Sequence, residues 1–256
     1  MSAIRDWIII CLAMLCLFPP LALADQLTAD QLVELGFPLT EQTEAEVAAA
    51  PLDEVDAVVA RLVGDAAGRV GEAAGIRALA SAIAVRPDAA VAFVEAAINA
   101  RVDSAAAFTR AAVIAAPDQA AEITVAAVGV AADLRDEIVA AAAAGVTEAT
   151  NDASGEPVAR IAAAVARINP ADSLAIARAA AEGFGQAAAT RGILYDTRLV
   201  TDAIARALEP INPDGDWEAR EDVRLILDDF LQREEGFDAE PLEAPSDSID
   251  PDASPS

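Results

Sequence analysis

The chain has no histidine and no lysine, and all 17 of its basic residues are arginine. Its two cysteines, Cys11 and Cys16, and its two methionines, Met1 and Met14, all precede Phe18. Imidazole bases, most zinc sites, Schiff-base lysines and, beyond Cys16, thiol nucleophiles are therefore excluded. Aspartate, glutamate, serine, threonine, Tyr195 and arginine remain. A carboxylate pair is a formal option, but such sites sit in clefts with aromatic platforms, and aromatics make up only 4% of the chain. The residue inventory predicts a non-enzyme, with no catalytic, cofactor-binding or metal-binding residue assigned.

Positive charge is scarce too. The net charge is −26 with a pI near 4.1. Nucleic acid, whose recognition needs a basic footprint, is excluded as a partner. Anionic lipid surfaces are disfavoured for the same reason. Basic proteins and divalent cations are the partners such a charge favours, although acidity also keeps an exported protein soluble.

Long apolar runs are absent save one, Trp7 to Phe18. It follows Arg5, stops at Pro19-Pro20, and precedes Ala22-Leu23-Ala24. This is the pattern of a signal peptide over residues 1–24, cleaved after Ala24, and predicts a periplasmic or secreted protein. The run falls short of the ~20 residues of a comfortable span, so no stable membrane insertion is expected after cleavage. Ile10 and Leu15 precede the cysteines where a lipoprotein would carry a small residue. Residues 25–256 would then hold no sulfur. Export permits disulfides, but none can form, and stability must come from packing.

What the chain has is alanine, in a repeat. Asp88, Asp103, Asp118 and Asp133 stand fifteen residues apart. Five positions after each lies Phe93, Phe108, Ile123 or Ile138, and the eighth and ninth positions are alanine in every unit, from Ala96-Ala97 to Ala141-Ala142. Offsets five, six, nine and ten share one helical face, while the polar offsets one, four and seven share the other. Fifteen residues suit either a right-handed coiled coil of 3.75 residues per turn or a stack of short helices. Pro87 and Pro117 directly precede Asp88 and Asp118. Proline breaks a helix and aspartate is a strong N-cap, so the units read as separate helices, each restarting at its Asp. The Val102-Asp103 and Ala132-Asp133 junctions lack that proline. The fold class predicted is all-α: an Ala-rich, α-solenoid-like stack of short helices over residues 25–235, clearest in 88–147. It resembles two-helix solenoids in general shape only.

Elsewhere, Thr28 to Gln31 and Thr43 to Glu46 read as capping boxes that open short helices. Leu52–Val63 is amphipathic. Gly64, Gly68, Gly71 and Gly75 fall on one helical stripe. Asp65, Arg69 and Glu72 make it too polar for a membrane helix pair, so it reads as a weak, bent helix or turns. Thr147–Gly155 reads as a loop and Gly183–Gly192 as a weak segment. Asp216–Arg233 reads as a capping helix with a polar outer face. Residues 236–256, rich in Pro, Ser and acid, read as a disordered tail.

Two clusters invite a binding reading. Asn212-Pro-Asp214-Gly-Asp216-Trp217 opens like a calcium loop, but position six is Trp217 and position twelve is Val223, with Asp222 one short. It reads as a turn leading to an Asp cap. Arg160 and Arg167 are seven apart, with Arg178 on the next helix. They suit an oxyanion or, in so acidic a chain, pairing with Asp and Glu. The function predicted is an exported, non-enzymatic scaffold that binds an as yet unidentified protein partner through its helical surface. The alternative is an acidic cation- or mineral-binding envelope protein.

Overall fold

In the computed structural model, residues 22–212 and 216–235 are described; they form helices and no strands. Twelve α-helices follow in order: α1 (Ala22–Glu34), α2 (Glu41–Ala49), α3 (Val55–Asp65), α4 (Glu72–Val85), α5 (Ala90–Ala100), α6 (Ala105–Ala115), α7 (Ala120–Val130), α8 (Arg135–Thr150), α9 (Glu156–Ala166), α10 (Ser173–Arg191), α11 (Thr197–Leu208) and α12 (Asp216–Glu235). The apolar run Trp7–Phe18 and the acidic tail 236–256 lie outside the described residues. The expected cleavage point after Ala24 falls in the first turn of α1.

The chain breaks at all four Asp junctions, with or without proline. Arg86, Arg101, Ala116 and Ala131 take nearly one conformation, φ −131°, −153°, −137° and −129° with ψ 69°, 84°, 69° and 61°. A single 3₁₀ turn follows each: Pro87–Ala89, Val102–Ser104, Pro117–Gln119 and Ala132–Leu134. Asn169 repeats this geometry before Pro170–Asp172. The helices are therefore separate, as the prolines predict.

The aspartates are not the N-caps. Those positions are Ala89, Ser104, Gln119 and Leu134, and none makes a side-chain capping bond. The 3₁₀ turn does the capping: Ala90, Ala105, Ala120 and Arg135 donate their N–H groups to the carbonyls of Pro87, Val102, Pro117 and Ala132. Each Asp sits exposed within that turn, where its charge meets the positive end of the helix dipole.

Other caps also move. Thr28 lies inside α1 and is buried, because the helix already runs from Ala22. The capping box of α2 is Thr40 with Thr43 as its third residue, so Thr43 is the partner of the cap. At the end of α1, Phe37 N–H donates to the Leu32 carbonyl and Gly36 N–H to that of Val33, with Gly36 at φ 78°. This is a Schellman stop, as Gly36 suggests. The expected loop at Thr147 shrinks to 151–155, because Thr147 and Thr150 extend α8, each donating its hydroxyl to the carbonyl four residues back.

From α3 onward each helix packs on the next and on the next but one, so α3, α5, α7, α9 and α11 form one row and α4, α6, α8, α10 and α12 the other. The helix α1 packs on α2 and α4, and α2 also packs on α3. Phe93, Phe108, Ile123 and Ile138 are completely buried between the rows, with Ala97, Ala112, Ala127 and Ala142. One connected apolar cluster runs from Ala29 to Leu227.

Glycine sets the spacing within a row. A Cβ on Gly64 would lie 3.2 Å from the Ala96 carbonyl oxygen, and one on Gly68 3.5 Å from Ala100 Cβ, so part of the glycine stripe brings α3 and the residues after it close to α5. The stripe also bends, as expected: a π-helical turn spans Ala66–Val70 and Gly71 takes φ 122°. The weak segment predicted from Gly183 onward is instead continuous helix, because Gly183 and Gly185 are buried where α10 meets α8 and α12.

Candidate functional site

Arginine supplies all of this protein's cations, so its placement decides where anions can bind. Several of the described arginines pair with carboxylates on neighbouring helices. Arg110 of α6 pairs with Glu148 of α8, Arg178 of α10 with Asp222 of α12, and Arg206 of α11 with Glu156 of α9. Arg135 at the start of α8 pairs with Asp136 and with Asp172, just before α10. Its neighbours, Asp136 foremost, hold its guanidinium above the usual arginine range. Except for Arg135–Asp136, which lies within α8, these pairs join neighbours in the same row. They are surface pairs, each worth ~0–1 kcal/mol, so they fix register more than they add stability.

The arginine cluster read from the sequence does not assemble as an anion site. Arg178 is taken by Asp222 through two bonds, one of them from Nε at 2.9 Å. Arg160 lies elsewhere, beside Pro157, in a small cavity of about 100 Å³ whose other wall carries Asp118 and Glu122. The two ends of the calcium-like segment are committed otherwise. Asn212 donates its amide to Ser173 Oγ at 2.7 Å, and Asp222 is held by Arg178. Residues 213–215 lie outside the described residues. Among the described residues no group of three or more acidic side chains is placed to hold a metal ion.

A different arginine trio does converge. Helix α11 presents Arg198, Thr201 and Asp202, and α12 presents Arg220, Glu221 and Arg224, around a cavity of about 270 Å³. The spacings are helical. Arg198 stands three residues before Thr201 and four before Asp202, and Arg220 stands four before Arg224, so each set shares a face. Arg220 Nη1 stands 3.5 Å from Asp202 Oδ1, and Arg224 grips Glu221 at 2.7 Å. That grip raises the Arg224 pKa above the ordinary guanidinium value. Arg198 is exposed and has no carboxylate within ion-pairing distance among the described residues. Three guanidiniums and the carboxylates of Asp202 and Glu221 line this groove, and Asp228 adds its charge beside Arg224.

Sequence reasoning missed this groove. The signal within reach was the Arg220/Arg224 pair on one face of the last helix; nothing local tied Arg198 to it. Comparison with known proteins adds no assignment, since no family model, no curated protein and no solved structure matches the chain.

Proposed function

We propose that the protein is an exported, non-enzymatic scaffold, built as an α-solenoid-like helical repeat of fifteen residues, which binds a protein partner along its surface. The observation that carries the repeat reading is Gln119, which donates to the Pro87 carbonyl at 2.9 Å and so joins the turn before α7 to the turn before α5. Equivalent turns two units apart lie side by side, which is what stacking of repeated units requires. Alanine and glycine at the contacts let helix axes approach closely and leave little room for shape change, which favours a rigid binding surface. The polar outer face of α12 suits the end of such a stack. No helix among the described residues is long and apolar enough to cross a membrane.

The test is capture with residues 25–256 from an envelope fraction at several salt concentrations. The expected result is one protein, held in fixed proportion, that binds again when purified. A bait that stays clean under every condition counts against the scaffold. The second reading, an acidic cation-binding protein, rests on the net charge and on the exposed carboxylates at the turns, Asp88, Asp103, Asp118 and Asp133. Calorimetric titration with calcium decides it, and no heat with no change in melting temperature at millimolar calcium ends it.

A further inference from the structure

We infer that the cavity between the N-terminal ends of α7 and α9 binds a small aliphatic amino acid, its ammonium group held by Asp118 and Glu122 and its carboxylate by Arg160. The cavity, of about 100 Å³, is lined by charge of both signs from two helical units. Among the described residues, none of these three side chains makes a hydrogen bond or an ion pair. Elsewhere in the same row such a gap is closed, since Arg206 of α11 meets Glu156 of α9 at 3.1 Å. Opposite charges that face one another without meeting leave a field across the space between them, and a molecule bearing both charges satisfies both walls at once. Arg160 opposes a bare cation here, and the two carboxylates oppose a bare anion. The guanidinium offers paired N–H donors to a carboxylate, and Asp118 and Glu122 accept from an ammonium group. Val146, Ala120 and Pro157 add apolar lining that suits a short aliphatic side chain, and the volume admits no cofactor.

The place of the cavity in the fold is a second observation, independent of charge. Gln119 ties the turn before α7 to the turn before α5. Helix α9 is reached differently, through residues 151–155, with Asn151 at φ 52° and Gly155 at φ 75° in place of a 3₁₀ turn. The cavity lies where the series of stacked turns is interrupted. Departures from an otherwise regular plan are where binding sites are expected.

The inference does not depend on the scaffold reading, because it concerns a free amino acid. The experiment is calorimetric titration of residues 25–256 with L-alanine and, separately, with propionate and ethylammonium, each of which lacks one of the two charged groups of alanine. Ionic strength is matched with sodium chloride in every arm, since any salt screens the self-repulsion of so acidic a protein. Saturable one-to-one binding of L-alanine is expected, about tenfold or more tighter than either singly charged analogue. It should weaken about tenfold or more in Arg160→Gln and in Glu122→Gln, each of which removes a charge-assisted contact. Arg77→Gln, an exposed arginine outside the cavity, should bind as the parent does. The inference is overturned by L-alanine heat no different from dilution, or by equal binding in Arg160→Gln and the parent. Propionate or ethylammonium binding as tightly as L-alanine would overturn it too, since one charged group would then suffice. Arg160 is exposed, so its variant should keep the parent's helical melt. If it does not, Glu122→Gln, also at an exposed position, decides with the same expectation.

Discussion

Gly183 of α10 lies directly against the backbone of Ala140 of α8: a Cβ at Gly183 would stand 2.0 Å from the Ala140 carbonyl oxygen. The atom in the way is backbone and cannot rotate aside, so the two helices meet at this distance only because one of them carries no side chain. Gly145 meets the Arg110 carbonyl in the same way, at 2.9 Å, where α8 crosses α6.

Gly183→Ala should therefore destabilise the protein. Helix propensity alone favours Ala by ~1 kcal/mol. Overpacking at the crossing should outweigh that by ~1–3 kcal/mol and push the rows apart. Gly129 in α7 is the control, since a Cβ there meets nothing within 4 Å. Gly129→Ala should stabilise by ~0.5–1 kcal/mol. Urea denaturation followed by circular dichroism reads both. Equal signs for the two substitutions would mean that close approach is not what Gly183 provides.

The buried column makes the largest prediction. Phe93 and Phe108 have no exposed surface. Either one changed to Ala should cost ~3–5 kcal/mol. The Phe108 ring also comes within 2.9 Å of where a Gly75 Cβ would be, so glycine and ring are fitted to one another. A loss below about 1 kcal/mol in the same denaturation series would place these rings outside the core.

Capping separates two kinds of residue that look alike in the sequence. Thr40 both caps α2 and closes a reciprocal box with Thr43, so Thr40→Ala should cost ~1 kcal/mol. Asp88 caps nothing by hydrogen bond, and Asp88→Ala should cost only ~0.3–1 kcal/mol through the helix dipole. That smaller loss should fade in high salt, whereas the Thr40 loss should not. Melting curves at low and high salt test the contrast.

The pair between Arg178 and Asp222 ties α10 to α12, with side chains 48% and 29% exposed. A double-mutant cycle with Arg178→Met and Asp222→Asn should return a coupling of ~0.2–1 kcal/mol that shrinks as salt rises. A coupling of several kcal/mol, independent of salt, would show that the pair is far less solvated than its exposure implies.

Much of the helical architecture is legible in the sequence. The 3.6-residue periodicity marks the buried column, and Pro87 and Pro117 mark two of the breaks. Val102 and Ala132 showed no such mark, yet the chain breaks there with the same dihedrals. At those junctions no local residue marks the break. The groove between α11 and α12 was illegible because Arg198 and Arg224 belong to different helices, and no spacing rule connects them.

By itself the sequence determined that this chain is helical, which face of each helix is apolar, and how acidic its surface is. These follow from local periodicity and from composition, which act within a turn or two. The tertiary structure decided that Gly183 and Gly185 lie inside a helix instead of ending it, that Arg178 is occupied by Asp222, and that Arg198 meets Arg220 and Arg224. Each of these depends on contact between helices far apart in the chain. A glycine that weakens an isolated helix becomes the residue that lets two helices touch, and only the packed rows settle which of those effects prevails.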